Sequence, residues 1–235
     1  MCWPATWTPE RTMSTLTAPG RGVLDQISLL PRSPRPLIIC DVDEVVLHLI
    51  LHLEEFLAAR GLVFLAYSYR LTGNIAEEAS GRLLGADEVH RLVQGFFEDI
   101  SDRQTIVDGA APALTRLSEA FEIVFLTNLP GVANKPLREK LLAAHGLTFP
   151  VVTNSGPKGG AVAALSAGRG QPVVFIDDSP QNLQSVAQAL PSARLIQFVA
   201  DARFRQALDP LPGLDLVSGD WLETEAHIRT MIASR

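Results

Sequence analysis

Hydrophobic residues along the chain fall into short continuous runs separated by longer amphipathic segments. The first run, Leu37 to Cys40, follows Pro36 and contains no polar residue. A short run without alternation predicts a strand that is buried on both faces, which is typical of parallel sheets. Four more predominantly apolar runs follow along the chain, at Phe121 to Leu126, Phe149 to Val152, Pro172 to Ile176 and Arg194 to Val199.

Helical periodicity fills the segments between these runs. The longest predicted helix extends from Glu44 to Arg60, and Gly61 ends it. His48 and His52 lie one turn apart, as in helical metal sites, but no third ligand accompanies them, so the favoured interpretation is a polar stripe facing solvent or the insert described next. A further helix has Pro112 in its first turn and runs to Glu119. Others are predicted at Val23 to Leu30, Lys135 to His145, Gly160 to Ala167, Ser179 to Leu190 and Asp220 to Ile232.

About five strands alternating with helices predict an α/β fold with a doubly wound, Rossmann-like parallel sheet. Residues 61–106 interrupt this alternation. They contain two predicted helices, Ile75 to Leu83 and Ala86 to Ile100, after an irregular aromatic stretch. The sequence therefore predicts a flexible N-terminus at residues 1–22, an α/β core at residues 23–60 and 107–235, and a small, mostly helical insert at residues 61–106.

Composition and charge limit the classes of function. The chain has 235 residues, a formal net charge of −6 and only two cysteines. An acidic chain is a poor partner for nucleic acid or an anionic membrane, and two cysteines form neither a disulfide framework nor a zinc motif. The sequence predicts a soluble cytoplasmic protein without a membrane span. Met13 is a plausible alternative start, which would place residues 1–12 outside the native protein.

Polar residues follow the predicted strands where each one ends. They are Asp41 and Asp43, Thr127 and Asn128, Asp177 and Asp178, and Lys158 before a helix. The carboxyl ends of parallel strands meet at one edge of a sheet, so these groups are expected to converge. Singly, each has a simpler explanation as a solvated turn, a helix cap or a surface lysine. Jointly, four acids, a hydroxyl and a lysine are what phosphoryl transfer through an aspartyl intermediate requires, with Mg²⁺ held by the carboxylates.

The same segments resemble the haloacid-dehalogenase-like (HAD) superfamily. The resemblance lies in Leu37-Ile-Ile-Cys-Asp-Val-Asp-Glu-Val-Val46, Ile123-Val-Phe-Leu-Thr-Asn128, Lys158 and Val174-Phe-Ile-Asp-Asp178. These four motifs stand in the family's order and span residues 37 to about 200. By this resemblance the insert at residues 61–106 is a cap that closes over the site.

The resemblance implies a role for each of these residues. Asp41 is the nucleophile and a Mg²⁺ ligand, and Asp43 is the general acid and base, whose backbone carbonyl also contacts the metal. Asp177 and Asp178 hold the cation directly or through water, with Asp178 favoured as the direct ligand. The phosphoryl group is bound by the remaining motif residues, Thr127, Lys158 and, as a neighbour, Asn128.

Asp43 narrows the implied reaction, because the dehalogenases of this superfamily lack an acid two residues after the nucleophile. The implied activity is Mg²⁺-dependent phosphatase activity on a small phosphomonoester. A phosphomutase or phosphotransferase, or a non-catalytic binding protein that retains the fold, stays open, as do substrate identity and oligomeric state. In the cap, Tyr67, Tyr69, Arg70 and Asn74 are candidate substrate contacts, although the aromatic residues would equally well pack the cap against the core.

Overall fold

A central parallel sheet organises the chain. The computed structural model describes residues 18–31, 33–100, 102–129 and 134–233, so the predicted alternative start at Met13 lies outside the described residues. The strands are β1 (Leu37–Cys40), β2 (Leu62–Phe64), β3 (Ile75–Glu77), β4 (Glu122–Asn128), β5 (Val151–Asn154), β6 (Val173–Asp177), β7 (Arg194–Phe198) and β8 (Leu216–Ser218). The helices are α1 (Arg21–Ser28), α2 (Ile50–Ala58), α3 (Ala86–Ile100), α4 (Ala110–Leu117), α5 (Asn134–Ala144), α6 (Gly159–Ser166), α7 (Pro180–Ala189), α8 (Ala202–Gln206) and α9 (Trp221–Ala233).

Six strands form this sheet in the order β5-β4-β1-β6-β7-β8, and every neighbouring pair is parallel. Successive residues of a strand point to opposite faces. Ile38 and Cys40 accordingly join a hydrophobic cluster with α4 and α9, whereas Leu37 and Ile39 join a second cluster with α6 and α7. Both faces are therefore covered, and the predicted doubly wound α/β fold is confirmed. The sequence indicated about five strands and missed the short edge strand β8.

The insert contains a β-hairpin as well as a helix. Strands β2 and β3 pair antiparallel, and the predicted helix from Ile75 to Leu83 is wrong. Alanine and glutamate favour a helix locally, but the pairing of Ile75 with Phe64 and the turn at Gly81, with φ of 69°, override that preference. Of the described residues between 61 and 106, only α3 is helical, so this segment is less helical than the sequence predicted.

Helix α2 packs with the insert. Leu53 and Phe56 of α2 share a hydrophobic cluster with Ile75 of the hairpin and Phe96 of α3. Backbone hydrogen bonds from His48 N to Thr105 O and from Val107 N to Val46 O close the base of this unit. Packing thus groups α2 with the hairpin and α3, although the predicted boundary between core and cap, at residues 60/61, stays a prediction.

The helix predicted from Glu44 begins six residues later, at Ile50. Glu44 adopts a φ of 62°, a left-handed conformation that is uncommon for a residue with a side chain. Its carboxylate accepts hydrogen bonds from the backbone N–H groups of Leu49 and Ile50, which satisfies donors at the start of α2. Since a local sequence pattern does not reveal this reversal, the helix start was predicted wrongly. Among the described residues, no helix is long and apolar enough to cross a membrane.

Candidate active site

Three carboxylates meet at the carboxyl edge of the sheet. Asp41 follows β1, and Asp177 ends the neighbouring strand β6, with Asp178 next to it. The backbone N–H of Asp41 donates to Ile176 O at 2.8 Å, which extends the pairing of β1 and β6 up to the acids. Each carboxylate offers an oxygen, and these oxygens lie within 4.8 Å of one another. The sequence prediction that these acids converge is therefore correct in its geometry.

Lys158 neutralises part of this charge. It stands immediately before α6, and its Nζ lies 2.7 Å from Asp41 Oδ1 and 2.7 Å from Asp177 Oδ2. Burial lowers the pKa of the Lys158 ammonium, but the charges of Asp177 and Asp41 raise it more, so the net pKa lies above its ordinary value. The lysine is fully buried and stays charged because two carboxylates surround it.

The acids nevertheless retain excess negative charge. Burial raises the pKa of Asp41, the charge of Lys158 lowers it and the charge of Asp177 raises it, and the resulting pKa is about 7. Burial likewise raises the pKa of Asp178 well above its usual range, together with the charges of Asp177 and Asp41. Carboxylates that are costly to ionise together fit a site for a hard divalent cation, which prefers oxygen ligands.

Asp177 and Asp178 differ in their surroundings. The Asp177 carboxylate accepts hydrogen bonds from Asn182 Nδ2 at 3.0 Å and from Ser179 N at 2.9 Å, in addition to the contact with Lys158. Asp178 instead lines the cavity beside the acids. This arrangement favours Asp178 over Asp177 as a direct ligand of a metal ion, in line with the preference stated from the sequence.

Asp43 is surrounded by three hydrogen-bond or ion-pair donors. Gln104 Nε2 lies 3.0 Å from Asp43 Oδ1, and Thr127 Oγ1 donates to Asp43 Oδ2 at 3.3 Å. Arg138 Nη2 lies 3.0 Å from Asp43 Oδ1, and its side chain is fully buried. The Arg138 guanidinium nitrogens form no hydrogen bond of good geometry with the described residues. The ion pair with Asp43 is therefore the main interaction that offsets the cost of burying this charge.

Sequence analysis missed both Arg138 and Gln104. Arg138 occupies one of several polar positions of helix α5, and the sequence does not reveal which of these faces the sheet edge. Gln104 lies between α3 and α4, where no motif marks it. It also donates to the carbonyl of His48 at 3.1 Å and so joins Asp43 to the base of the insert.

A cavity of about 400 Å³ opens above these groups. Asp41, Asp43 and Asp178 form its acidic floor, and Thr127 and Asn128 lie beside them. The side chain of Asn128 is already engaged, because its Nδ2 donates to Gly156 O and its Oδ1 accepts from Asn154. The structure thus brings the predicted core-motif residues together, with Lys158 and Asp177 directly behind the floor.

The predicted cap residues lie elsewhere. Tyr67 is 45% exposed and its ring lies 5.7 Å from that of Phe204. It lines a larger groove of about 770 Å³ along β2, which contains none of the predicted catalytic groups. Asn74 is buried and holds the hairpin loop through the N–H and C=O of Ala66, and Arg70 is exposed. None of these three residues lines the acidic cavity, and their contact with substrate stays a prediction.

Tyr69 packs against the core, which was the alternative raised for the cap aromatics. Its ring lies 5.9 Å from the ring of Phe204 in an edge-to-face arrangement. Its hydroxyl is buried beside the Asp178 carboxylate, without a hydrogen bond of ideal geometry among the described residues. Burial, together with the charges of Asp178 and Glu44, raises the pKa of the Tyr69 hydroxyl, so this group stays protonated.

The His52 side chain of α2 makes structural contacts. His52 is buried, and the backbone N–H of Thr105 donates to its Nε2 at 2.9 Å. Because Nε2 accepts this bond, Nδ1 carries the proton and faces Glu55 at 3.2 Å. His52 thus faces the base of the insert through Thr105, which is one of the two alternatives given from the sequence, and it does not face solvent.

Solved structures share this architecture. No protein-family model matches the sequence, and no curated protein matches it either. A HAD hydrolase from Bacillus subtilis, solved with magnesium bound, superposes with a TM-score of 0.55 at 15% identity, covering 82% of this chain and 97% of that one. A protein described as a β-phosphoglucomutase from Bacteroides vulgatus gives a TM-score of 0.52 at 14% identity, covering 90% of this chain and 97% of that one.

An L-2-haloacid dehalogenase superposes equally well, with a TM-score of 0.53 at 12% identity over 83% of this chain and 99% of that one. These likenesses concern proteins named for different reactions, so they show the fold without choosing a reaction. They agree with the six-stranded parallel sheet of this chain. The chain has the haloacid-dehalogenase-like fold.

Proposed function

We propose that this protein is a Mg²⁺-dependent phosphomonoester hydrolase that acts through an aspartyl-phosphate intermediate on a small phosphorylated substrate. The observation that carries the proposal is the pairing of two differently placed acids in one cavity. Asp41 is in contact with Lys158, whereas Asp43 stands two residues further on among neutral donors and Arg138. One acid can therefore attack while the other transfers protons.

The two carboxylate oxygens of Asp41 differ in their contacts. Its Oδ1 accepts from Val42 N at 2.7 Å and contacts Lys158 Nζ at 2.7 Å. Those contacts fix the carboxylate and leave Oδ2 as the attacking atom. Attack forms a bond from Oδ2 to phosphorus and breaks the bond from phosphorus to the leaving oxygen, while Lys158 offsets negative charge on the transferred group.

Asp43 acts as the general acid in the first step and as the general base in the second. In the first step Asp43 starts in its protonated form and donates that proton to the leaving oxygen, which departs as an alcohol. In the second step it removes a proton from the water that attacks phosphorus, and this attack releases inorganic phosphate and regenerates the Asp41 carboxylate. Thr127, which now contacts Asp43 Oδ2 at 3.3 Å, is placed to donate to a phosphoryl oxygen as well.

The acidic residues also fit the metal that this fold family implies. Asp41 and Asp178 would hold Mg²⁺ directly, with the backbone carbonyl of Asp43 beside them and Asp177 acting behind them. When bound, the cation supplies positive charge against the phosphoryl oxygens. The raised pKa values of Asp41 and Asp178 support this assignment, because a bound cation would stabilise both carboxylates in their ionised form.

Phosphate release from a panel of phosphomonoesters tests the proposal. Wild type is measured with Mg²⁺ and with EDTA, beside Asp41→Asn, which removes the nucleophile at nearly constant shape. Asp25→Asn is the matched control, because Asp25 is exposed on α1 and does not line the cavity. We expect Mg²⁺-dependent release that Asp41→Asn abolishes and Asp25→Asn leaves unchanged.

Three other outcomes would overturn the proposal in different ways. Halide release from 2-haloacids without phosphate release would identify a dehalogenase despite Asp43. Transfer of phosphate to an added alcohol or sugar phosphate, without net hydrolysis, would identify a phosphotransferase or mutase. Absence of all three reactions with a folded, Mg²⁺-binding protein would identify a binding protein.

A further inference from the structure

The walls of the acidic cavity differ in chemistry from its floor. Above the carboxylates lie three apolar side chains, Leu71 and Phe97 of the insert and Leu49 at the start of α2. The core contributes Ser179 and Gln181 at the start of α7, which are uncharged and polar. Among the described residues that line the cavity, none is lysine, arginine or histidine. The described residues of the walls therefore offer apolar and neutral polar contacts.

The buried cations near the site do not change this conclusion. Lys158 is fully buried and is occupied by Asp41 and Asp177. Arg138 is also fully buried, faces Asp43 and does not line the cavity. Neither cation reaches the walls where the leaving group of a substrate would lie.

Resting on the phosphatase function proposed above, we propose that the substrate is a phosphomonoester whose leaving alcohol is uncharged and presents an apolar face. That face would pack on Leu49, Leu71 and Phe97, and hydroxyl or amide groups on it would meet Ser179 and Gln181. Sugar bisphosphates, phosphorylated carboxylic acids and nucleoside polyphosphates are excluded from this class, because each places a second anion against the walls.

Electrostatics supports this exclusion. A second anion on the leaving group would lose its hydration between apolar side chains and find no positive partner there. It would also lie near the carboxylates of Asp43 and Asp178, and like charges at close range oppose binding strongly. The apolar side chains, in contrast, gain from covering an uncharged ring or chain.

The cavity is also small. At about 400 Å³ it lies towards the lower end of the range for small-molecule sites. Its floor must accommodate the phosphoryl group, so the space left suits one ring or a short chain. Size and charge together favour a compact, neutral alcohol.

Three phosphate esters separate charge from size in the test. Phenyl phosphate is compared with 4-carbamoylphenyl phosphate and 4-carboxyphenyl phosphate, which are nearly isosteric but differ by one negative charge. We expect kcat/KM with Mg²⁺ to be about 100-fold lower for the carboxylate than for the carbamoyl ester. The ratio should persist at high ionic strength, which screens the net charge of the protein but not a contact inside the cavity.

A charge placed in the wall provides a second test. Leu71→Lys introduces a cation at the cavity, and Leu71→Met is the uncharged control of similar size. We expect Leu71→Lys to reduce the preference against the carboxylate ester at least about tenfold, and Leu71→Met to leave it unchanged. If Leu71→Lys does not fold, the comparison of the carbamoyl and carboxylate esters on wild type still tests the inference.

The failures can be told apart. Release from the carbamoyl and carboxylate esters at similar kcat/KM would overturn this inference and leave the phosphatase function intact. Release from none of the three esters, nor from any member of the wider panel, would overturn the proposed function and this inference with it.

Discussion

Replacing Arg138 tests whether its charge is needed by the buried acids. Arg138 is fully buried and its Nη2 lies 3.0 Å from Asp43 Oδ1. At that separation, two unit charges attract by about 5.5 kcal/mol at an effective dielectric constant of about 20. Much of this attraction offsets the cost of removing both groups from water, but loss of one partner leaves the other charge buried and uncompensated.

We therefore expect Arg138→Met, which keeps most of the side-chain volume, to lower the free energy of unfolding by about 3–5 kcal/mol. Native domains have only about 5–15 kcal/mol in total, so the variant should be markedly less stable. The assay is equilibrium unfolding in urea with EDTA present, so that no metal ion replaces the lost positive charge. Equal slopes of the unfolding curves would show that the change lies in stability.

Two controls sharpen the measurement. Arg103→Met removes an exposed arginine paired with Asp99, and it should change the unfolding free energy by less than about 1 kcal/mol. Asp43→Asn combined with Arg138→Met removes both charges of the buried pair. The double variant should be more stable than the sum of the single changes predicts, by at least about 1.5 kcal/mol.

One result would refute the reasoning. If Arg138→Met unfolds within about 1 kcal/mol of wild type in EDTA, the guanidinium is not the charge that compensates Asp43. The acids would then have to be balanced by protonation. An additive double variant would lead to the same conclusion.

Three more predictions follow from buried polar groups. Burial raises the pKa of Glu44 from 4.5 to about 7, so the protonated side chain stabilises the folded state by up to roughly 3 kcal/mol. This contribution is complete below about pH 4.5 and is lost as pH rises through about 7. Urea midpoints of wild type should therefore fall more steeply than those of Glu44→Gln between about pH 5 and about pH 8. Asn74→Ala removes the loop contacts to Ala66 and should lower the free energy of unfolding by about 1–3 kcal/mol, measured by heat or urea. Its KM should stay unchanged, which would distinguish Asn74 from the residues that line the cavity. Mg²⁺ at a hundredfold excess over its Kd should stabilise wild type by about 2.7 kcal/mol, and Asp178→Asn should lose that increment in a melting titration.

The sheet and its acids were predictable because strands buried on both faces leave a strong signal. Leu37 to Cys40 is uninterrupted by polar residues and lies at the centre of the sheet, between β4 and β6. Once the strands are parallel and adjacent, Asp41 and Asp177 must meet at one edge. Topology alone therefore places the floor of the site.

The rest of the site depends on tertiary contacts that a local pattern does not contain. Ile75-Ala-Glu reads as helix, yet pairing with β2 makes it a strand. Arg138 is a polar residue in an amphipathic helix, and only the rotation of α5 against the sheet directs it to Asp43. The role of the cap residues stays a prediction: Tyr67 has the chemistry of a binding residue, and its ring packs against Phe204 outside the acidic cavity.

Charge balance connects the acids, the two buried cations and the proposed substrate. When ionised, Asp41, Asp43, Asp177 and Asp178 carry two more negative charges than Lys158 and Arg138 offset, and a divalent cation would supply the difference. The phosphoryl group then brings its own negative charge to the floor, against which Lys158 and the metal are the available partners. The described residues of the cavity walls include no cationic side chain that could pair with a second anion. Under the proposed function, the charge balance that favours a bound metal ion would therefore also favour an uncharged alcohol as the leaving group.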